Sequence, residues 1–185
     1  MRVIAGKFGS RRLRTLRGME LRPTSDRLRE TLFDILGGTV EDSLFVDVFA
    51  GSGAIGIEAL SRGARQVVFI ERHGPAAKLI RDNLNSLGAG GEILVLDAIQ
   101  GLERLASRHA LADFIFLDPP YALAADYLHV LDFLDGSHLL APRGIVIVEH
   151  RKKMELPMRL YRLECSRTVE QGDSALSFYR LAMAA

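Results

Sequence analysis

The sequence has no tryptophan, a single cysteine and no extended apolar run. With Cys165 alone, an internal disulfide and a cysteine-built metal cluster are both excluded. No stretch approaches the roughly 18 consecutive apolar residues of a membrane-crossing helix, and the N-terminus lacks the short apolar core of a secretory signal. A cytoplasmic protein without membrane association is therefore expected. His73, His109, His129, His138 and His150 are scattered without ligand spacing, so they read as surface or structural and no metal centre is expected. Ser52 stands in G-S-G, which lacks the G-x-S-x-G frame of a hydrolase nucleophile. There is no internal repeat and no low-complexity linker.

The 185 residues, 48% hydrophobic and 25% charged, suit one soluble domain. A chain of this size buries roughly 70% of its unfolded surface. The net charge of +1 conceals an asymmetry: residues 1–30 carry nine Lys/Arg against three acids, or +6, and the remainder carries −5. A basic end on a mildly acidic body points to a polyanion held by that end, or else to a solvated arginine-rich face.

Residues 2–5 and 11–16 read as two short strands about the turn Gly6–Ser10. Pro23-Thr24-Ser25-Asp26 starts a helix whose apolar stripe is Leu28, Leu32, Phe33, Ile35 and Leu36, ended by Gly37-Gly38. From residue 44 strands and helices alternate. Strands are predicted at 44–49, 67–71, 92–96, 113–117 and 144–149, and helices at 53–62, 74–87, 98–109 and 122–135. Near-continuous apolar strands separated by amphipathic helices make a parallel sheet covered on both faces, a doubly wound α/β fold. Strands at 159–165 and 175–182, joined by the polar stretch 170–174, should close the sheet antiparallel. This divides the chain into a basic extension, 1–38, and an α/β domain, 39–185.

The strand at 44–49 runs into Gly51-Ser52-Gly53-Ala54-Ile55-Gly56, a G-x-G-x-x-G pattern that lets a ligand approach the backbone closely, or packs helix on strand. Glu71, twenty residues after Gly51, ends the next strand where an acid can hold both ribose hydroxyls. A dinucleotide would bring a pyrophosphate to this loop. Asp47, four residues before Gly51, would repel a pyrophosphate and suits the ammonium of S-adenosylmethionine; otherwise it caps loop amides. Asp97-Ala98, at the next strand end, can accept from an adenine amine and donate to its ring, or form an ordinary helix cap. Asp118-Pro119-Pro120-Tyr121 follows the apolar run Phe114–Leu117. Two prolines stiffen this turn, which offers carboxylate and carbonyl acceptors beside an aromatic ring: a cradle for an uncharged amino group on a flat ring.

Asp47…Gly51-x-Gly53, Glu71, Asp97 and Asp118–Tyr121 together resemble the successive motifs of class I S-adenosylmethionine-dependent methyltransferases, in the branch that methylates amino groups. Arg2-Val3-Ile4-Ala5-Gly6, the stretch Leu21–Phe33, Asp47–Ala64, Gly172-Asp173-Ser174 and Phe178-Tyr179 are similar to the RsmD family, bacterial enzymes that methylate a guanine N2 amine of 16S rRNA. The resemblance implies a Rossmann-like, mostly parallel sheet with an antiparallel C-terminal strand, preceded by a small basic hairpin and helix. It implies S-adenosylmethionine as cofactor and S-adenosylhomocysteine as product, held by Asp47, Phe49, Ala50, Gly51, Ser52, Gly53, Glu71, Asp97 and Ala98. Asp118, Pro119, Pro120 and Tyr121 become catalytic. The rRNA, within the 30S subunit or a late precursor, would meet the extension through Arg2, Lys7, Arg11, Arg12 and Arg14, then Arg22, Thr24, Arg27 and Arg29. A monomer suffices. Phe8 either touches RNA or packs the hairpin, and Glu149-His150-Arg151 either lines the cleft or is solvated. DNA adenine, protein glutamine and, more remotely, NAD-dependent oxidation are the rival readings.

Overall fold

Alternate residues of each central strand enter opposite hydrophobic layers, because both faces of the sheet are covered. In the computed structural model, which describes residues 1–15, 25–119 and 124–182, one seven-stranded sheet runs β3-β2-β1-β4-β5-β7-β6. Its strands are β1 (Leu44–Val48), β2 (Gln66–Ile70), β3 (Glu92–Leu94), β4 (Ala112–Leu117), β5 (Leu140–Arg151), β6 (Leu163–Gln171) and β7 (Ser174–Leu181). The first five are parallel; β7 pairs antiparallel with β5, and β6 with β7. Phe45, Phe69, Phe114, Phe116 and Ile147 face α1 (Asp26–Leu36), α2 (Ala54–Ser61) and α3 (Gly74–Leu87). Val46, Val68, Ile115 and Val148 face α4 (Ala98–Ser107) and α5 (Ala124–Gly136). Helix α1 begins where expected: the Ser25 side chain accepts from Leu28 N–H, and Leu28, Leu32, Phe33 and Leu36 are buried.

The predicted strand at 92–96 stops at Leu94, since its β2 partners end at Ile70 and the Leu94 carbonyl accepts from Glu71 N–H. β5 begins four residues before the predicted 144, because Pro142-Arg143-Gly144 is a bulge rather than a turn. A Cβ on Gly144 would lie 2.9 Å from the Ala112 carbonyl, so glycine lets β4 and β5 close there. β6 is displaced from the predicted 159–165. Its polar edge residues resemble a loop in sequence, yet Glu170 and Gln171 pair with β7 and only Gly172-Asp173 turns.

The N-terminal hairpin also differs from the two predicted strands. Only Arg2 and Arg12 form a β-bridge, supported by Val3 N–H to Arg11 carbonyl and Ser10 N–H to Val3 carbonyl, both 2.9 Å. Ile4 and Ala5 cannot extend the ladder because their N–H groups donate to the Glu58 carboxylate, at 2.7 and 3.0 Å. The hairpin thus pairs with itself only from Met1 to Val3 and is fastened to α2 through Ile4 and Ala5.

Candidate active site at the carboxyl ends of the strands

Strand order reverses between β1 and β4, which opens a crevice at their carboxyl ends. The register lines up Leu94, Ile70, Val48, Leu117 and Val148 in one row across β3, β2, β1, β4 and β5. Glu71, Phe49, Asp118 and Glu149 each come one residue past that row. Neighbouring strands lie about 4.8 Å apart, so Glu71 and Asp118 flank the β1 loop within the reach of one nucleoside-sized ligand.

The loop after β1 is built from left-handed residues: Phe49 at φ 63°, Gly51 at 55° and Gly53 at 76°. For Phe49 this conformation is strained, a feature that concentrates at ligand sites. The glycines divide the work. Gly51 and Gly53 meet the backbone requirement, whereas a Cβ on Gly56 would lie 2.3 Å from the Phe69 ring, so Gly56 allows α2 to pack on β2.

Glu71 fixes the loop. Its Oε2 accepts from Gly51 N–H and its Oε1 from His73 N–H, both at 2.8 Å. A carboxylate oxygen has two lone pairs, so each retains capacity for a ribose hydroxyl. Asp47 is 2% exposed and accepts from Gly56 N–H at 2.9 Å. Burial pushes its carboxyl up to about 8, the Gly56 N–H opposes this and the neighbouring Glu71 adds to it. Asp47 therefore caps α2, and a cation alongside would favour its charged form. Exposed Asp97 caps α4, accepting from Gln100 N–H at 3.0 Å, with Ala98 opening the helix.

At the end of β4, Asp118 is half-buried and Pro119 buried. The Tyr127 hydroxyl, from α5, donates to the Pro119 carbonyl at 3.3 Å. Pro120 and Tyr121 lie outside the described residues. Beyond the row, Glu149 and His150 are buried and Arg151 is exposed. His150 Nδ1–H donates to the Arg151 carbonyl and Nε2 accepts from the Ser177 hydroxyl, each at 2.9 Å. Burial lowers the His150 pKa, which suits this neutral, structural role.

Of the residues expected at RNA, Arg2, Lys7, Arg11, Arg12, Arg14 and Arg27 are exposed. Arg22 and Thr24 lie outside the described residues. Arg29 is a correction: its side chain is fully buried, donating to Asp26 at 2.8 Å and to the Arg2 carbonyl at 2.7 Å, so it ties α1 to the hairpin. Phe8 is buried and packs the hairpin, with Lys7 Nζ 5.5 Å from its ring centroid.

Two polar residues escaped the sequence reading. Glu58 in α2 is wholly buried, holding Arg62 at 2.9 Å besides Ile4 and Ala5. Asn83 in α3 is 1% exposed; it accepts from Arg14 N–H at 2.9 Å and donates to the Arg14 and Ser52 carbonyls at 3.2 Å. Each interrupts an apolar helix face, and that interruption was the available signal.

A doubly wound sheet with a strained glycine loop, acids at successive strand ends and Asp118-Pro119 across the switch point defines a class I S-adenosylmethionine-dependent methyltransferase. The chain belongs to the RsmD family: the family model described as "Conserved hypothetical protein 95" matches residues 1–180. The Escherichia coli K12 protein "Ribosomal RNA small subunit methyltransferase D" is 34% identical over 97% of this chain and 89% of its own. The Bacillus subtilis protein YlbH is 34% identical over 97% and 98%. The solved Escherichia coli yhhF structure superposes with a TM-score of 0.84 at 29% identity, covering 98% of this chain and 97% of that one.

Proposed function

We propose that this protein methylates the exocyclic N2 amine of a guanine in bacterial 16S rRNA. The observation that carries the reading is the register row, with Glu71, Phe49 and Asp118 side by side at the switch point. The name borne by the Escherichia coli relative supports small-subunit rRNA as the substrate.

S-adenosylmethionine, when bound, supplies an electrophilic methyl group on a sulfonium. Glu71 holds the ribose hydroxyls, Asp97 and Ala98 contact the adenine, and Asp47 pairs with the ammonium. Phe49, Ala50, Gly51, Ser52 and Gly53 bring the loop backbone against the ligand. Asp118 carboxylate and Pro119 carbonyl accept the two N–H bonds of the target amine and aim its lone pair. The amine gains positive charge as it is alkylated, and acceptors fixed beforehand stabilise that charge. A strong general base is unnecessary, since the product ammonium is acidic and releases its proton to water. Tyr121, outside the described residues, is assigned to stacking on the base, and Pro120 to the same catalytic motif.

The base must leave its stack, which costs about a few kcal/mol. Phosphate contacts from Arg2, Lys7, Arg11, Arg12, Arg14 and Arg27 offset this, and Arg22 and Thr24, outside the described residues, are assigned to the same RNA contact. In this reading residues 1–38 are the RNA-contacting extension, residues 39–185 are the catalytic domain, and a cytoplasmic monomer acts on the 30S subunit or a late precursor.

Labelled cofactor offered with 30S subunits, naked rRNA, DNA or protein tests the reading. Label should enter the small subunit or its rRNA as N2-methylguanosine. Incorporation into DNA adenine or protein glutamine instead would overturn it.

A further inference from the structure

Beyond the methyl-transfer site, the basic extension and the cofactor loop meet at Asn83 of α3. Asn83 is assigned to neither ligand, yet its carboxamide joins the two elements that are. Its oxygen accepts from Arg14 N–H at 2.9 Å and its nitrogen donates to the Arg14 carbonyl at 3.2 Å. It pairs with Arg14 in both directions, as the peptide of a neighbouring strand would. Its nitrogen also donates to the Ser52 carbonyl at 3.2 Å, at the centre of Gly51-Ser52-Gly53.

A second path runs in parallel. Leu13 N–H donates to the Met1 carbonyl at 3.1 Å, and the Met1 sulfur accepts from the Ser52 hydroxyl at 3.6 Å. Ser52 is therefore gripped through both backbone and side chain by groups fastened to segment 11–14. Arg11 adds a tie to the same helix, its Nη2 donating to the Ser86 carbonyl at 2.8 Å.

We infer that Asn83 is a positioning residue that couples the extension carrying Arg12 and Arg14 to the cofactor loop, so that cofactor and RNA bind cooperatively. This rests on the ligand assignments above. At 1% exposure the amide has no water to replace either partner. Moving the Ser52 carbonyl therefore shifts the Arg14 backbone or takes a partner from the buried Asn83 amide. The loop itself is left-handed at Phe49, Gly51 and Gly53, so outside partners help define its shape. A ligand that fixes the loop fixes Arg14, and by linkage RNA on Arg14 favours the cofactor-binding loop by the same factor.

The test uses the full chain, S-adenosylhomocysteine and small-subunit rRNA, with hydrogen exchange read at the Arg14 amide. In the wild type S-adenosylhomocysteine alone should slow exchange at Arg14. It should also tighten rRNA binding by about 5-fold or more, the lower range of allosteric coupling. In Asn83→Leu each ligand should still bind alone while the mutual tightening falls below about 2-fold, and Arg14 exchange should ignore the cofactor product. Coupling that survives in Asn83→Leu overturns the proposal. So does a wild type in which S-adenosylhomocysteine binds and leaves Arg14 exchange unchanged, a result that needs no variant to fold. If Arg14 responds in the wild type but rRNA does not bind, the linkage between loop and extension stands and the RNA assignment falls.

Discussion

Val48 of β1 pairs with Leu117 of β4, so Phe49 and Asp118 leave the sheet as neighbours on two strands whose connections diverge. The strained loop and the acceptor turn thus share one crevice although 69 residues separate Phe49 from Asp118.

Replacing Asp118 with alanine removes one of the two acceptors for the target amine. Turnover should fall by about 10²-fold or more, with an unchanged melting temperature as the check that the fold survives. Near-normal turnover would remove Asp118 from the mechanism. Tyr121→Ala should reduce activity more than Tyr121→Phe, which keeps the ring; equal losses would argue against stacking.

Asp47 gives a pH dependence. Its pKa in the fold, about 8, lies above its ordinary value, so its neutral form is the one the fold favours. The stability it contributes is complete below about pH 4 and is lost as pH rises through about 8. Asp47→Asn cannot ionise but keeps an acceptor for Gly56 N–H. Its melting temperature without cofactor should therefore decline less than the wild type's over that range, while its affinity for S-adenosylhomocysteine weakens. Parallel melting curves at every pH would contradict the assignment.

Glu58 should matter to stability more than an acid in a short helix normally does. Glu58→Leu leaves the half-buried N–H groups of Ile4 and Ala5 without their partner, at a cost of about 1 kcal/mol or more each. For a domain of this size the melting temperature should drop by about 5 °C or more. A shift under about 1 °C would show that the hairpin holds by other contacts.

Gly56→Ala puts a methyl group 2.3 Å from the Phe69 ring. Overpacking of this kind costs about 1–3 kcal/mol and should shift the residue-56 N–H that donates to Asp47. Thermal unfolding with and without S-adenosylhomocysteine checks both effects: lower stability, and a smaller stabilisation by the ligand.

Much of this was legible in the sequence because it rests on short-range patterns. Continuous apolar runs such as Phe114–Leu117 mark strands buried on both faces, and the glycine loop and Asp118-Pro119 mark strand ends. The unreadable parts depend on partners distant in sequence. Arg29 looks like one more cation of a basic segment, yet Asp26 and the Arg2 carbonyl hold it inside. Ile4 and Ala5 have strand character, but Glu58 claims their N–H groups from 54 and 53 residues away. Glu170 and Gln171 read as loop because an edge strand carries polar side chains on its solvent side. Asn83 showed only as a polar break in the face formed by Ile80, Leu84 and Leu87; its partners Arg14 and Ser52 appear only when the hairpin is seated.

The most direct measurement is nucleoside analysis of 16S rRNA from a strain lacking this protein, repeated after restoring the wild type or Asp118→Ala. One N2-methylguanosine should vanish, return with the wild type and stay absent with Asp118→Ala. A full complement of N2-methylguanosine in the strain lacking the protein would contradict the account.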